Sequence, residues 1–220
     1  MVYRRKQQRR TFRRKAPWYK RRYNALQLAQ KAARGVWYLK GLVNSEVFKR
    51  DTPIPNTTVN DSTGYVLNCQ PVPIGDSTGQ RTGNSILARQ LYVRVRLTKA
   101  AAPTSTYLRF FILQDNQQVS DVVPALADLL ETPGDIDSPI SNAFAGRFKL
   151  LMSKTLLLTN DSPSYHLERA FKVRHHIRYN GASGTDVQKG GYYLMVYADQ
   201  SAAANYPLID GHVRLSYHDN

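Results

Sequence analysis

Residues 36–220 predict an all-β protein, an antiparallel sandwich of two sheets, preceded by a short helix (24–35) and a basic arm (1–23). Three observations carry that reading. Apolar and polar residues alternate with period two along 91–98 and again along 171–179. Breakers recur between the strand-like runs: Pro53 and Pro55, Pro71 and Pro73, Pro103, Pro163 and the Asn180-Gly181 pair. After Gly35 only one stretch, 120–131, has a helical period. Eight strands, one inserted helix and long polar loops fit a two-layer sandwich.

The arm comes first. Eleven of the first 22 residues are basic: Arg4, Arg5, Lys6, Arg9, Arg10, Arg13, Arg14, Lys15, Lys20, Arg21 and Arg22. No Asp or Glu precedes Glu46, whereas the whole chain has a net charge of +15. Almost all of the imbalance therefore lies at one end. Charges this dense repel one another and cannot be buried, which predicts disorder for the isolated arm and a polyanion as its partner. Tyr3, Phe12, Trp18, Tyr19 and Tyr23 are interleaved with the cations. Rings that stack on bases beside cations that pair with phosphates suit a single-stranded nucleic acid. The same composition fits a nuclear-import signal, with host import receptors as partners, or a ribosomal-type tail.

Asn24 can cap a helix and Gly35 occupies the place of a C′ residue. Ala25, Leu28, Ala29, Ala32 and Ala33 recur between them at helical spacing. A helix of about eleven residues is marginal alone, so packing against copies of itself or against the domain is expected.

Strands are expected at about 42–51 (B), 64–69 (C), 86–98 (D), 106–115 (E), 148–159 (F), 165–179 (G), 191–199 (H) and 211–218 (I). Along D, Leu91, Val93, Val95 and Leu97 share one face, with Tyr92, Arg94, Arg96 and Thr98 on the other. Along G, Phe171, Val173, His175, Ile177 and Tyr179 oppose Lys172, Arg174, His176 and Arg178. The helical stretch 120–131 has Ser120 or Asp121 as its cap.

Signs of catalysis are weak. Gly75-Asp76-Ser77-Thr78-Gly79 fits a hydrolase nucleophile elbow in letters, but that motif needs a buried strand before it and a helix after it. Pro71-Val72-Pro73 and Gly79-Gln80-Arg81-Thr82-Gly83 supply neither. His166, His175, His176, His212 and His218 have no metal-ligand spacing with Cys69. His175, in the apolar file of strand G, reads as a hydrogen-bonded core or interface residue. One cysteine excludes an internal disulfide framework, and no apolar run approaches a membrane span. No enzyme activity and no membrane partner are expected.

Several stretches occur in an order that resembles a known family. They are Ile74-Gly75-Asp76, Gln80-Arg81-Thr82-Gly83-Asn84, Leu91-Tyr92-Val93-Arg94 and Leu108 through Asn116. Val123–Leu130, Arg147-Phe148, Tyr179-Asn180-Gly181-Ala182 and Tyr217-His218-Asp219 follow. Together with the arm they resemble the small single jelly-roll capsid proteins of satellite tobacco necrosis virus and of small circular single-stranded DNA viruses. The arm is richer in arginine than the satellite pattern, and 35–70 has no residue-by-residue match. The resemblance implies an eight-stranded jelly roll with sheets B-I-D-G and C-H-E-F. It implies a coat protein that self-assembles, as about 60 copies in a T=1 shell, around a single-stranded genome held by the arm. Virion location follows, and the import-like arm adds the host nucleus and favours DNA over RNA. The short helix would cluster with its symmetry mates. Calcium at subunit contacts, on Asp76 and Asp219, is a further implication. The competing reading is a cellular nucleic-acid-binding protein of ribosomal type, which would spread basic charge over the whole body.

With D and G neighbours in one sheet, Arg94, Arg96, Lys172, Arg174, His176 and Arg178 must share its outer face, joined by Arg214 of strand I. Like charges on adjacent strands need a neutraliser. The expectation is packaged nucleic acid, or acids of a neighbouring subunit.

Overall fold

The computed structural model describes residues 24–43, 46–117, 122–142 and 146–219, and the chain divides into two units after Val43. The arm cations therefore lie outside the described residues.

Helix α1 spans Ala25–Val43. Its start is the expected one: the Asn24 side-chain oxygen accepts the Gln27 N–H at 2.9 Å. Its end is not. The helix runs through Gly35 because Val36, Trp37 and Leu39 extend the helical pattern and no proline intervenes before Pro53. Glycine inside a helix costs only about 1 kcal/mol relative to alanine, which does not by itself end one. Leu26, Leu28, Val36, Trp37 and Leu39 are all exposed, Trp37 to 75%.

Among the described residues nine strands follow: β1 (Phe48–Thr58), β2 (Tyr65–Asn68), β3 (Ser85–Thr98), β4 (Ser105–Asp115), β5 (Phe148–Thr159), β6 (Ser164–Tyr179), β7 (Val187–Lys189), β8 (Gly191–Ala198) and β9 (Leu208–Asp219). One sheet has the order β1-β9-β3-β6-β7 and the other β2-β8-β4-β5, with every pairing antiparallel. These are the jelly-roll sheets B-I-D-G and C-H-E-F, with the three-residue β7 added at the end of the first. Strand B is displaced from the expected 42–51 to 48–58, since α1 occupies its predicted start. It contains Pro53 and Pro55, which an edge strand tolerates because one side of its backbone needs no partner. Its register with β9 slips between Ile54 and Thr57, around Pro55.

The core lies between the sheets. Leu91, Val93, Val95 and Leu97 of β3 face Leu108, Phe110 and Ile112 of β4, with Val213 and Leu215 of β9 in the same cluster. A second cluster covers the outer face of the β2-β8-β4-β5 sheet. There Phe111, Leu113, Tyr193, Met195 and Tyr197 are buried beneath Leu126, Leu129 and Leu130. All eight residues of β8 are consequently buried.

The covering segment contains α2, only Leu126–Leu129, where the Asp128 carboxylate accepts the Ala125 N–H at 3.0 Å. The longer helix expected at 120–131 is cut short because Pro124 holds Val123 out of helical conformation. The predicted Ser120 or Asp121 cap lies outside the described residues. Asp115, fully buried at the end of β4, receives a two-pronged bond from Arg147 at the start of β5 and ties those strand ends together.

Burial thus separates the two outer faces. The segment 122–142 roofs one of them. The outer face of β1-β9-β3-β6 carries exposed charged side chains instead.

Candidate nucleic-acid interface

Alternation along β3, β6 and β9 delivers Arg94, Arg96, Lys172, Arg174, His176, Arg178 and Arg214 to that open face, and all seven are exposed. The structure revises the expected neutraliser. Neither a ligand nor a neighbour is needed for three of the arginines, because acids of the same chain meet them. Arg96 donates from Nε to Asp210 at 2.9 Å. Arg214 makes a forked bond to Asp51, with Nη2 to Oδ2 at 2.8 Å. Arg94 lies 3.8 Å from Glu168, which also accepts a 2.6 Å bond from the Tyr92 hydroxyl. The Arg214 guanidinium holds the Asp51 carboxyl below its usual range. Glu168 shares the parity of Lys172 and Arg174 along β6, so the sequence contained this signal. Asp51 and Asp210 were not legible as partners: strand I was expected to begin at 211, and the register that sets Asp51 opposite Arg214 is a cross-strand property.

A double irregularity divides the face. Between Ala88 and Gln90 strand β3 has one extra residue, Arg89, relative to β9. At the same point β6 has one extra residue relative to β3, at Val173–Arg174. Arg174 has φ 39°, the one positive φ outside glycine among the described residues.

His175 points the other way. Its Nε2 is buried without a partner, beside Gly190. Burial, then the charges of His176, Lys149 and Lys189, hold its pKa below the ordinary value. The unfolded chain therefore binds this proton more readily. Stability from the neutral imidazole is present above about pH 6.5 and falls as pH drops toward the depressed folded value. His175→Gln is expected to remove that part of the acid destabilisation, read as unfolding midpoints at pH 7.5 and 5.5. Identical pH profiles for the two proteins would contradict it.

Asp76 is exposed on the 74–83 loop, while Asp219 accepts bonds from the Thr82 N–H at 2.8 Å and hydroxyl at 2.7 Å. Among the described residues no three His, Cys, Asp or Glu side chains converge as a metal site. The Gly75–Gly79 segment is a tight loop joining β2 to β3, without the helix that a nucleophile elbow requires. Burial pushes the Cys69 thiol up to about 12, which makes it core filling rather than a nucleophile.

One residue that sequence reasoning quoted without a role is Arg81. It is fully buried, and its guanidinium donates to the carbonyls of Val72, Gly83 and Gly181 while lying 4.1 Å from the Tyr179 ring centre. It gathers the loops at one end of the sandwich, including the one capped by Asp219.

Comparison with known proteins agrees with this architecture. The family described as Satellite tobacco necrosis virus coat protein matches residues 21–220. The coat protein of Maize white line mosaic Satellite virus is 30% identical over 158 residues, covering 68% of this chain and 71% of that protein. A solved virion of Kashmir bee virus is similar to this chain at 13% identity with a TM-score of 0.30, covering 80% of this chain and 68% of its own, too distant a likeness to bear on the fold. A basic arm, a jelly-roll sandwich with one open charged face, and a family match over nearly the whole chain converge on one conclusion: this chain belongs to the satellite tobacco necrosis virus coat protein family and is a viral capsid protein.

Proposed function

We propose that the chain assembles into a T=1 icosahedral shell of about 60 copies and packages a single-stranded genome. The arm is the principal phosphate contact, through Arg4, Arg5, Lys6, Arg9, Arg10, Arg13, Arg14, Lys15, Lys20, Arg21 and Arg22. Those cations of the open sheet face that no acid of this chain meets, Lys172, Arg174 and Arg178, make a second. The observation that carries this reading is the segregation of charge: eleven cations among the first 22 residues, set before a nearly neutral body. About 60 such arms bring several hundred positive charges inside, enough to balance phosphates of a strand on the order of a thousand nucleotides. The exposed Leu28, Val36, Trp37 and Leu39 of α1 suit contact with the same helix in neighbouring copies. Calcium, with hard oxygen ligands, would draw on Asp76 and Asp219 where subunits meet.

Phosphates carry the same charge in DNA and RNA. The arginine-dense arm, read as an import signal for host receptors, favours nuclear assembly and DNA. Nuclease digestion of extracted particle contents tests this: DNase-sensitive, RNase-resistant nucleic acid is expected, and the reverse would place assembly with an RNA genome.

A further inference from the structure

Charge on the open face is unevenly distributed, and the double bulge marks the division. On one side three acids answer three arginines: Asp51 with Arg214, Glu168 with Arg94, and Asp210 with Arg96. On the other side stand Arg89, Lys172, Arg174, Arg178 and, from β7, Lys189. Among the described residues no carboxylate lies within ion-pair distance of any of these five. Arg89 and Gln90 are both exposed between the buried Ala88 and Leu91, so the bulge turns an additional cation outward. Arg178 pairs directly across the strands with Lys189, and Lys172 stands opposite Gln90.

Two unfavourable features meet here. Like charges side by side on neighbouring strands destabilise a sheet. A left-handed conformation disfavours any residue with a Cβ, and here it falls on an arginine. Among the described residues no ion pair within the chain offsets the repulsion; a bound anion would relieve it, and its contacts would offset the cost of the strained backbone.

We propose that this double bulge is an ordered binding site for backbone phosphates of the packaged strand, and that the acid-paired half of the same face is not. The inference rests on the packaging function proposed above and assigns it to particular residues, two of them (Arg89 and Lys189) brought to this face by the bulge and by β7. Two shallow hollows flank Arg178, with volumes of about 410 and 500 Å³, and amides line them: Asn116 and Gln117 on one side, Asn84 and Asn180 on the other, with Gln188 shared. Amides both donate and accept, as the edges of unpaired bases require. A carboxylate from a neighbouring subunit would need only the cations.

The test uses the full-length chain and a single-stranded 20-nucleotide probe, titrated with salt, in deoxythymidine and uridine versions. The triple variant Lys172→Gln, Arg174→Gln, Arg178→Gln is expected to lower the slope of log affinity against log salt by about 2, since each lost contact on a single strand removes about 0.7. The double variant Arg94→Gln, Arg96→Gln should keep the wild-type slope. Arg174→Gly is expected to melt at a higher temperature than wild type yet bind the probe more weakly, a split that a purely structural role does not give. A triple variant with the wild-type slope overturns the site while leaving arm-based packaging intact. Loss of shells with an unchanged slope overturns it too, and assigns the five cations to contacts between subunits. A wild-type chain that binds neither probe defeats the packaging reading itself, and this site with it.

Discussion

Removing residues 1–23 leaves a folded domain that no longer packages nucleic acid. The deletion takes away eleven cations and no acid, while the core is built from residues between Phe48 and Tyr217. Thermal unfolding should therefore move by only a few degrees, since a change of about 1 kcal/mol corresponds to roughly 2–4 °C in a domain of this size. Binding to a single strand should collapse. Eleven lost contacts at about 0.7 each take roughly 8 from the salt slope, equivalent to several powers of ten in affinity at moderate salt. What remains is the weaker contribution of the sheet face. The measurements are the ratio of absorbance at 260 and 280 nm in purified particles and the salt slope of the truncated chain. Full-length genome in truncated particles, with unchanged salt sensitivity, would show that the arm is not the packaging element.

Arg81→Ala is expected to cost about 3–5 kcal/mol, the largest effect of any single substitution considered. The guanidinium is fully buried, and three carbonyls, Val72, Gly83 and Gly181, accept its protons. Alanine leaves those acceptors buried without donors, each worth about 1–3 kcal/mol, and opens a cavity against the Tyr179 ring. Arg81→Lys keeps the charge, but a single ammonium cannot reproduce the planar fork, so it should recover only part of the loss. Urea unfolding of dissociated protein is the measurement. A loss under about 1 kcal/mol for the alanine variant would mean that the loops hold without this residue.

Most of the fold was legible because its signals are local. Strand-like runs between breakers, two of them cleanly alternating, placed seven of the eight predicted strands near their observed positions, and the family resemblance supplied their order in the sheets. Misplaced elements failed where two local signals competed. Gly35 looked like a helix end, yet the apolar pattern beyond it carried α1 to Val43. Pro53 and Pro55 looked like strand breakers, yet β1 lies at an edge where they are tolerated. Pro124 overruled the helical period around it.

The site was legible in composition but not in its division. Alternation predicted which cations share a face. It could not predict Arg89, because the bulge that turns this residue outward is a slip of register between neighbouring strands. Nor could it predict that Asp51 and Asp210 reach Arg214 and Arg96, since cross-strand register is a long-range property. Lys189 belongs to a three-residue strand too short to leave a pattern.

Electron microscopy of the purified full-length protein, combined with its sedimented mass, tests the central claim most directly. Assembly as a coat protein predicts uniform, closed particles with the mass of about sixty 25.0 kDa chains plus nucleic acid. Those particles should lose their nucleic acid when residues 1–23 are absent. Monomers or open, irregular aggregates at every salt concentration, with or without added single-stranded nucleic acid, would contradict it.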